Sequence, residues 1–362
     1  MQQKKLLIIC PYPQGFAPSQ RLKFEQYFDA FKEDGWEITV EPFINLEFWK
    51  IIYKKGFFLR KAWYTLTSYW RRFGLLSRIK KFDVVYVHLW VTPFGPPLFE
   101  SWIKKRAKKL IYDIDDLVYL RNEKSKAHPL VNFIKGRKKP IYLMKESSHV
   151  ITCTPYLDEF VRRYNNHTTD ISSTVDTCNR YFVVNDYSNH KFPTIGWSGS
   201  LSTSKYFYLL KNVFQELSKT HRFKILVIGD PDIKINGLEI EALAWKESIE
   251  METLQRFDIG VYPLPNEEWV LGKSGLKAIQ YMALGVPTVA TAIGANFRVM
   301  ENGVSGFLVK TDEEWISALS QLLEDVQLRK FIGMNGRKRV EEKFSLEANK
   351  QKYLDILNGV SE

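Results

Sequence analysis

Lys273, Lys277 and Gln280 stand at i, i+4 and i+7 in the stretch from Glu267 to Thr291 (EEWVLGKSGLKAIQYMALGVPTVAT), while Leu276, Ile279 and Ala283 stand at i, i+3 and i+7. On a helix running from about Ser274 to Leu284, that spacing buries an apolar face and presents two ammonium groups and an amide on the other. Gly272 and Gly275 let the backbone approach a ligand closely at the preceding turn, and Gly285 with Pro287 ends the helix. A diphosphate at such a helix N-terminus receives turn N–H groups, the positive end of the helix dipole and the lysine charges together. The pattern predicts a nucleoside diphosphate site; the plainer alternative is a surface helix with two solvated lysines.

Other residues also have the chemistry of a site. Asp113, Asp115 and Asp116 (YDIDDLVY) end an apolar run, and three carboxylates at the carboxyl end of a strand are costly unless solvated, paired or used. They read either as a metal-ligating Asp-x-Asp set or as groups that orient hydroxyls or act as base without a metal. Arg21, in the segment opened by Gly15, has the forked guanidinium that suits phosphate, and an ordinary first-turn helix residue is its alternative. Glu268, beside Glu267, precedes the phosphate turn and is a candidate site residue, with a solvated loop as the alternative. His88 sits within a strand and is expected in the core or behind the site. Cys10, Cys153 and Cys178 lie far apart with no C-x-x-C spacing, which argues against a disulfide framework or zinc site and fits a reducing cytoplasm.

Placing these groups takes an α/β scaffold. KLLIIC at 5–10, WEITV at 36–40, DVVYVHLW at 83–90, KLIYDID at 109–115 and HVITC at 149–153 read as strands, apolar on both faces as in a covered parallel sheet. FPTIGWSG at 192–199, FKILVIGD at 223–230, IGVYPL at 259–264, VPTVAT at 286–291 and GFLV at 306–309 repeat the scheme. Since domains cluster near ~100–200 residues, a chain of 362 residues divides into two doubly wound units. The expected bounds are 1–178, a polar linker at 179–191, 192–345, and a closing segment 346–362 that crosses back as a helix. Ligands in such sheets sit at the carboxyl ends of the strands, which directs attention to the cleft between the domains.

Charge is unevenly spread. Residues 1–191 hold thirty-two Lys and Arg against nineteen Asp and Glu, whereas the rest of the chain is slightly acidic. Residues 48–82 alone carry ten cations, eleven aromatics and no acid. Basic segments edged with Trp, Tyr and Phe favour anionic membrane surfaces, at about 1 kcal/mol per surface-proximal cation. The alternative is a helical hairpin whose aromatics pack on the sheet. No nucleic-acid-binding signature accompanies the charge, so no such partner is expected, and no apolar stretch nears the ~18 residues of a membrane span.

IGWSGSLSTSKYFYLL at 195–210, DIGVYPL at 258–264, GKSGLKAIQYMALGVPTVATAIGAN at 272–296 and NGVSGFLV at 302–309 carry a further likeness. With APSQRLKFEQYFDAFKEDGWEITV at 17–40 and STVDT at 173–177, they are the segments in which nearly the entire chain resembles the retaining GT-B glycosyltransferases of glycosyltransferase family 4. The resemblance implies two Rossmann-like domains facing across a cleft, a C-terminal domain for the nucleoside diphosphate sugar, and transfer to an acceptor hydroxyl without metal or other cofactor. It implies a glycan or lipid-linked acceptor, in cell-surface polysaccharide or lipid-linked glycan synthesis, and a cytoplasmic protein peripheral on the inner face of the membrane. The family's Glu-x7-Glu pair falls on Gly272 and Gln280, and neither is glutamate here. Its phosphate-binding Arg falls on Ser200, after Gly199, and its Lys on Lys205. The chain looks like a subgroup with Trp-x-Gly-Ser and Gly-Lys-x-Gly-x-Lys patterns, in which Lys273 and Lys277 supply the missing cation. Ser274, Gly275 and Leu276 then line the donor, Gly15 and Arg21 lie near its phosphates, and Asp115 takes the place of a frequent His. Two rival readings are a nucleotide-sugar epimerase and a membrane-associated nucleotide-sugar-binding protein without catalysis.

Overall fold

The computed structural model describes residues 3–115, 117, 136, 138–182 and 192–361. The apolar runs become the strands of two parallel six-stranded sheets. In the first, β1 (Lys4–Cys10) lies between β2 (Trp36–Pro42) and β3 (Val84–His88), followed outward by β4 (Lys109–Asp113), β5 (His149–Thr152) and β6 (Thr168–Asp170). Leu6 pairs with Ile38 on one side and Val84 on the other. Past the exposed Lys4 and Lys5, Leu6 to Cys10 are all buried, because helices cover both faces and none of these five needs to be polar. The chain adds β2 to one side of β1 and then β3 to the other, so the strand order reverses at the carboxyl ends of β1 and β3.

The second sheet runs β12 (Phe307–Val309), β11 (Thr288–Thr291), β10 (Ile259–Tyr262), β7 (Thr194–Ser198), β8 (Lys224–Gly229), β9 (Ile240–Ala244). Its reversal falls between β7 and β10. Alternate residues of β8 serve opposite faces: Ile225 and Val227 pack with Trp197 and Phe207, Leu226 and Ile228 with Ile279 and Tyr281. Gly260 of β10 is needed for close approach, since a Cβ there would meet the Tyr281 ring at 2.5 Å. The helix Leu276–Ala283, which carries Tyr281, ends where the N–H groups of Gly285 and Val286 reach the carbonyls of Met282 (2.9 Å) and Tyr281 (3.0 Å).

Two strands escape the sequence reading. β6 is three polar residues and β9 is an edge strand with no fully buried side chain, so neither has an apolar run to announce it.

By internal contacts the chain divides into residues 1–173 with 350–362 and residues 174–349. The boundary falls ahead of the expected 178. Val175 exchanges backbone hydrogen bonds with Phe344 and Leu346 (3.0 Å each), and the Arg337 guanidinium donates to the carbonyls of Thr177 (3.0 Å), Tyr181 and Ala283, which joins residues 175–181 to the second unit. Most of the expected linker, 183–191, lies outside the described residues, but its Arg180 pairs with Glu250 at 2.8 Å and Tyr181 is buried in the second unit's core. The closing helix, Leu346–Ser361, is counted with the first unit from Lys350 onward, where the Tyr353 ring lies 4.5 Å from that of Tyr27 and Asn358 donates to Asp34 at 2.9 Å.

The basic aromatic segment folds as helices Leu46–Ile52 and Phe58–Leu75. Asn45 caps the first by accepting the Phe48 N–H at 2.8 Å. Part of the segment packs inward, Phe48 on Tyr64 at 5.5 Å and Tyr69 on Phe43 at 5.4 Å. Arg72 is buried and donates to the carbonyls of Glu41 (2.8 Å), Val91 (3.1 Å) and Cys10 (3.1 Å), so this cation ties the helix to the sheet and offers nothing to the surface. Among the described residues no helix is long and apolar enough to cross a membrane.

Candidate functional site

The second unit gathers its polar residues at the reversal between β7 and β10. Ser198 ends β7, and its hydroxyl accepts from the Lys277 ammonium at 3.1 Å and from the Tyr281 hydroxyl at 3.0 Å, while its N–H donates to the Tyr281 oxygen at 2.7 Å. Among the described residues Lys277 has no carboxylate in an ion pair. It keeps some accessible surface, yet the protein packed around its ammonium pulls the pKa down to about 8, with Glu250 opposing that shift from a distance. A cation held against neutral hydroxyls is poised for an incoming anion.

Lys277 sits in the first turn of the Leu276–Ala283 helix, whose N-terminus no side chain caps. The N-cap is Gly275, at φ +78°. A Cβ there would also meet Val299 Cγ2 at 2.9 Å and Asn296 Oδ1 at 3.3 Å. Gly275→Ala is therefore expected to cost about 1–3 kcal/mol of stability and to misplace the helix start; thermal denaturation and nucleotide binding check this, and an unchanged melting point with unchanged binding would refute it.

The helix begins two residues later than its spacing predicts, and this changes the face. Lys273 is not on the helix but at the extended end of the turn Glu268–Gly272, so it does not share a helical stripe with Lys277. Its ammonium lies over the Trp269 ring (5.6 Å to the centroid), Trp269 lies 5.5 Å from Tyr206, and Lys205 lies over Tyr206 at 5.0 Å. Lys205 and Lys273 thus flank a pair of rings. Gln280 is likewise off the predicted polar face: it is 2% exposed and donates to the Tyr181 hydroxyl at 2.7 Å. The glycine at N-cap shortens the helix, and the segment 177–181 covers what would have been its polar side.

After β7 the Gly199 N–H donates to the Ile228 carbonyl at 2.9 Å, and Ser200 opens a hydroxyl-rich turn with Ser202 (2.9 Å) and Thr203 (3.2 Å). Glu268 begins the turn that Gly272 ends, Ser274 follows it, and Leu276 packs its side chain against the core. Sequence reasoning missed Ser198, Tyr281, Tyr206 and Trp269. Only the Trp-Ser-Gly-Ser run hinted at the first.

In the first unit the loop after β1 is braced from below. The Gly15 N–H donates to Glu25 at 2.8 Å, and Gln20 exchanges hydrogen bonds with the Tyr12 backbone (2.9 and 3.0 Å) and donates to Glu25 at 2.9 Å. Arg21 closes the short helix Pro18–Arg21, half-buried.

Asp113 departs from its predicted role. It is buried, accepts from the Lys23 ammonium and the Tyr86 hydroxyl (2.6 Å), and has His88 Nδ1 at 3.1 Å. Its oxygens are committed inside the fold, which makes it structural and leaves no metal-ligating pair with Asp115. Asp115, two residues past β4, is partly exposed, and Asp116 lies outside the described residues. Among the described residues no group of three or more His, Cys, Asp or Glu stands close enough to hold a metal ion.

Residues 192–325 match the family model described as Glycosyl transferases group 1. A Staphylococcus aureus protein named capsular polysaccharide biosynthesis glycosyltransferase CapM is 30% identical over 162 residues, 42% of this chain and 42% of that protein, so the chain spans less than half of this curated relative's length. Among solved structures, sucrose-phosphate synthase of Thermosynechococcus elongatus is similar at a TM-score of 0.70 and 14% identity, covering 98% of each chain. HepE of Anabaena in complex with UDP and glucose is similar at 0.66 and 15% identity, covering 98% of this chain and 100% of that one. The strand orders and these likenesses give the fold as GT-B, two Rossmann-like domains, the second of which matches the group 1 glycosyl transferases over residues 192–325.

Proposed function

We propose that the protein is a retaining, metal-independent glycosyltransferase that moves a sugar from a nucleoside diphosphate sugar to an acceptor hydroxyl, in cell-surface polysaccharide or lipid-linked glycan synthesis. The observation that carries this reading is the Lys277 ammonium, held on Ser198 at the strand-order reversal, beside an uncapped helix N-terminus and without a carboxylate partner among the described residues. The CapM likeness and the UDP and glucose held by HepE support the substrate class.

In the proposed reaction the bond from the anomeric carbon to the diphosphate breaks, the acceptor oxygen bonds to that carbon on the same face, and the acceptor proton passes to the departing phosphate oxygen. The protein's part is to stabilise charge on the leaving group through Lys277, the helix N-terminus and, at greater range, Lys205 and Lys273; preorganised charge of this kind is commonly the largest catalytic term. No protein nucleophile is required, which suits an Asp113 already occupied. Arg21, Gly15, Asp115 and Asp116 are assigned to the acceptor and phosphate side, and Glu268, Ser274 and the Ser200 turn to the donor. The proposed partners are the nucleotide sugar, a glycan or lipid-linked acceptor and an anionic membrane surface, with the protein peripheral on the inner face of the cell membrane.

The test is a thermal-shift panel of nucleoside diphosphates and their sugars, followed by transfer with the best donor. The expected product keeps the donor's anomeric configuration by NMR and forms in the presence of EDTA. Isomerised donor without acceptor, an inverted linkage, or activity that EDTA removes and magnesium restores would overturn the respective part of the reading.

A further inference from the structure

Leu59, Trp63, Leu66, Trp70 and Phe73 recur at steps of four, three, four and three along the Phe58–Leu75 helix, so they form one stripe. In a helix packed on a sheet, that stripe would face the sheet. Here it faces away: Leu59 is 88% exposed, Trp63 64% and Trp70 67%, and Leu66 and Phe73 are more than half exposed. The sheet-facing side is formed instead by Tyr64, Ser68, Arg72 and Leu75, with Ser68 donating to the Phe43 carbonyl at 2.7 Å. The helix is therefore amphipathic twice over, and its outer apolar stripe is mostly open, with Phe73 meeting the Trp102 ring edge-on at 6.4 Å. At its start, Tyr53, Phe57 and Phe58 are exposed as well.

The charges around the stripe select among occupants. Arg60 follows Leu59, one position round the helix, and Lys54, Lys55, Lys80 and Lys81 are exposed at the two ends; Arg71 instead turns inward, donating to the Phe43 carbonyl at 2.7 Å. No acidic residue lies anywhere in 48–82. A second copy of this surface would bring like charge against like charge, whereas an anionic lipid surface takes the apolar ridge into its acyl boundary and the cations into its headgroups. The stripe carries two tryptophans, the side chain that favours the membrane–water boundary.

We propose that the outer stripe of the Phe58–Leu75 helix is a membrane-inserting face that docks the first unit on anionic lipid. This rests on the membrane-surface partner proposed above and assigns it to particular side chains. Just before this helix, exposed Tyr53 packs on Trp49 (5.5 Å), and Trp49 on Tyr12 (5.4 Å) and Phe16 (6.1 Å) of the loop after β1. The loop that carries Gly15 is thus tied through edge-to-face rings to the Leu46–Ile52 helix that precedes the docking helix, which suits an acceptor presented from the lipid surface.

The experiment is co-sedimentation of the full chain with vesicles of phosphatidylcholine alone and of phosphatidylcholine with an equal part of phosphatidylglycerol, for the wild type, W63S/W70S and K54Q/K55Q/R60Q. The wild type is expected to bind only the anionic vesicles, less tightly as salt rises. Both variants are expected to lose about tenfold or more in partition, the tryptophan pair even at low salt. Sedimentation velocity and the nucleoside diphosphate thermal shift, which reads the second unit, confirm that each variant is folded. No binding by the wild type would remove the membrane partner itself. Anionic binding unchanged in W63S/W70S would leave that partner and overturn this face, as would a wild-type dimer that the substitution dissolves. Vesicle binding with no nucleotide response would keep the face and count against the catalytic reading.

Discussion

Lys277→Met is expected to reduce transfer by about 10²–10³-fold while making the protein more resistant to heat at neutral pH. The first effect follows from the position of the ammonium, on Ser198 at the carboxyl end of β7 beside the helix N-terminus, where the proposed reaction develops charge on the departing diphosphate. The second follows from the same burial. Folding takes the ammonium out of water against neutral hydroxyls, which is why its pKa falls to about 8 from an ordinary 10.5. Between those two values the unfolded chain binds the extra proton, so stability rises with pH across that window, and below it the folded state carries the full cost of the buried charge. Methionine keeps the stem and removes the charge. After allowing for the surface Lys277 retains and the lost bond to Ser198, the gain is on the order of 1 kcal/mol. Calorimetry checks it, together with loss of the stabilisation that a nucleoside diphosphate gives the wild type. Near-normal turnover, or a lowered melting point, would remove Lys277 from the mechanism described.

The titration has a kinetic counterpart. In the free enzyme the charged form declines above about pH 8, so kcat/KM should fall with an inflection near that value. A bound diphosphate favours the ammonium, so the corresponding limb of kcat should lie at higher pH. Coincident limbs in the two profiles would show that Lys277 does not meet the phosphates.

The strands that hold this arrangement were legible because both faces of each sheet are covered, and a doubly buried strand shows as an apolar run. β6, two threonines and an aspartate, and β9, with no fully buried side chain, gave no such run. Within the site, Lys277 and Gly275 could be read from spacing and turn chemistry, and the Trp-Ser-Gly-Ser segment marked the neighbouring strand end. The partnership of Lys277 with Ser198 and Tyr281 could not, since seventy-nine positions separate Ser198 from Lys277 and Tyr281 belongs to an apolar pattern until Gly260 lets its ring lie against the sheet. Lys273 and Gln280 were misplaced for two separate reasons. Helical periodicity assumes a helix that is already running, and the left-handed Gly275 starts it after Lys273, while Tyr181 arrives from a distant segment to bury Gln280. The outward aromatic stripe was visible as composition, but only the burial of Arg72 and Ser68 shows which side of the helix the sheet takes.

Asp113→Ala is expected to destabilise the first unit by about 3–5 kcal/mol, the range for stripping one partner from a buried charged pair. Burial alone would raise the pKa of this carboxyl. The Lys23 charge and the bond to His88 outweigh it and hold the group at about 2, below an ordinary 3.8. The stability it contributes is therefore present above pH 3.8 and lost as the pH falls through about 2. Lys23 completes the pair: burial lowers its pKa, Asp113 more than restores it, and its contribution persists up to 10.5 and is lost as the pH rises through the higher folded value. With Asp113 gone, Lys23 keeps the Ile114 carbonyl at 3.4 Å, too weak a partner for a fully buried ammonium. The double substitution Lys23→Met with Asp113→Leu removes both charges and should cost much less than the sum of the single changes, a coupling that a double-mutant cycle in urea reads directly. The urea transition of the second unit should stay in place, and its nucleotide-induced shift with it. Additive costs would mean that the pair is not coupled, and loss of turnover in a variant of undiminished stability would return Asp113 from the scaffold to the chemistry.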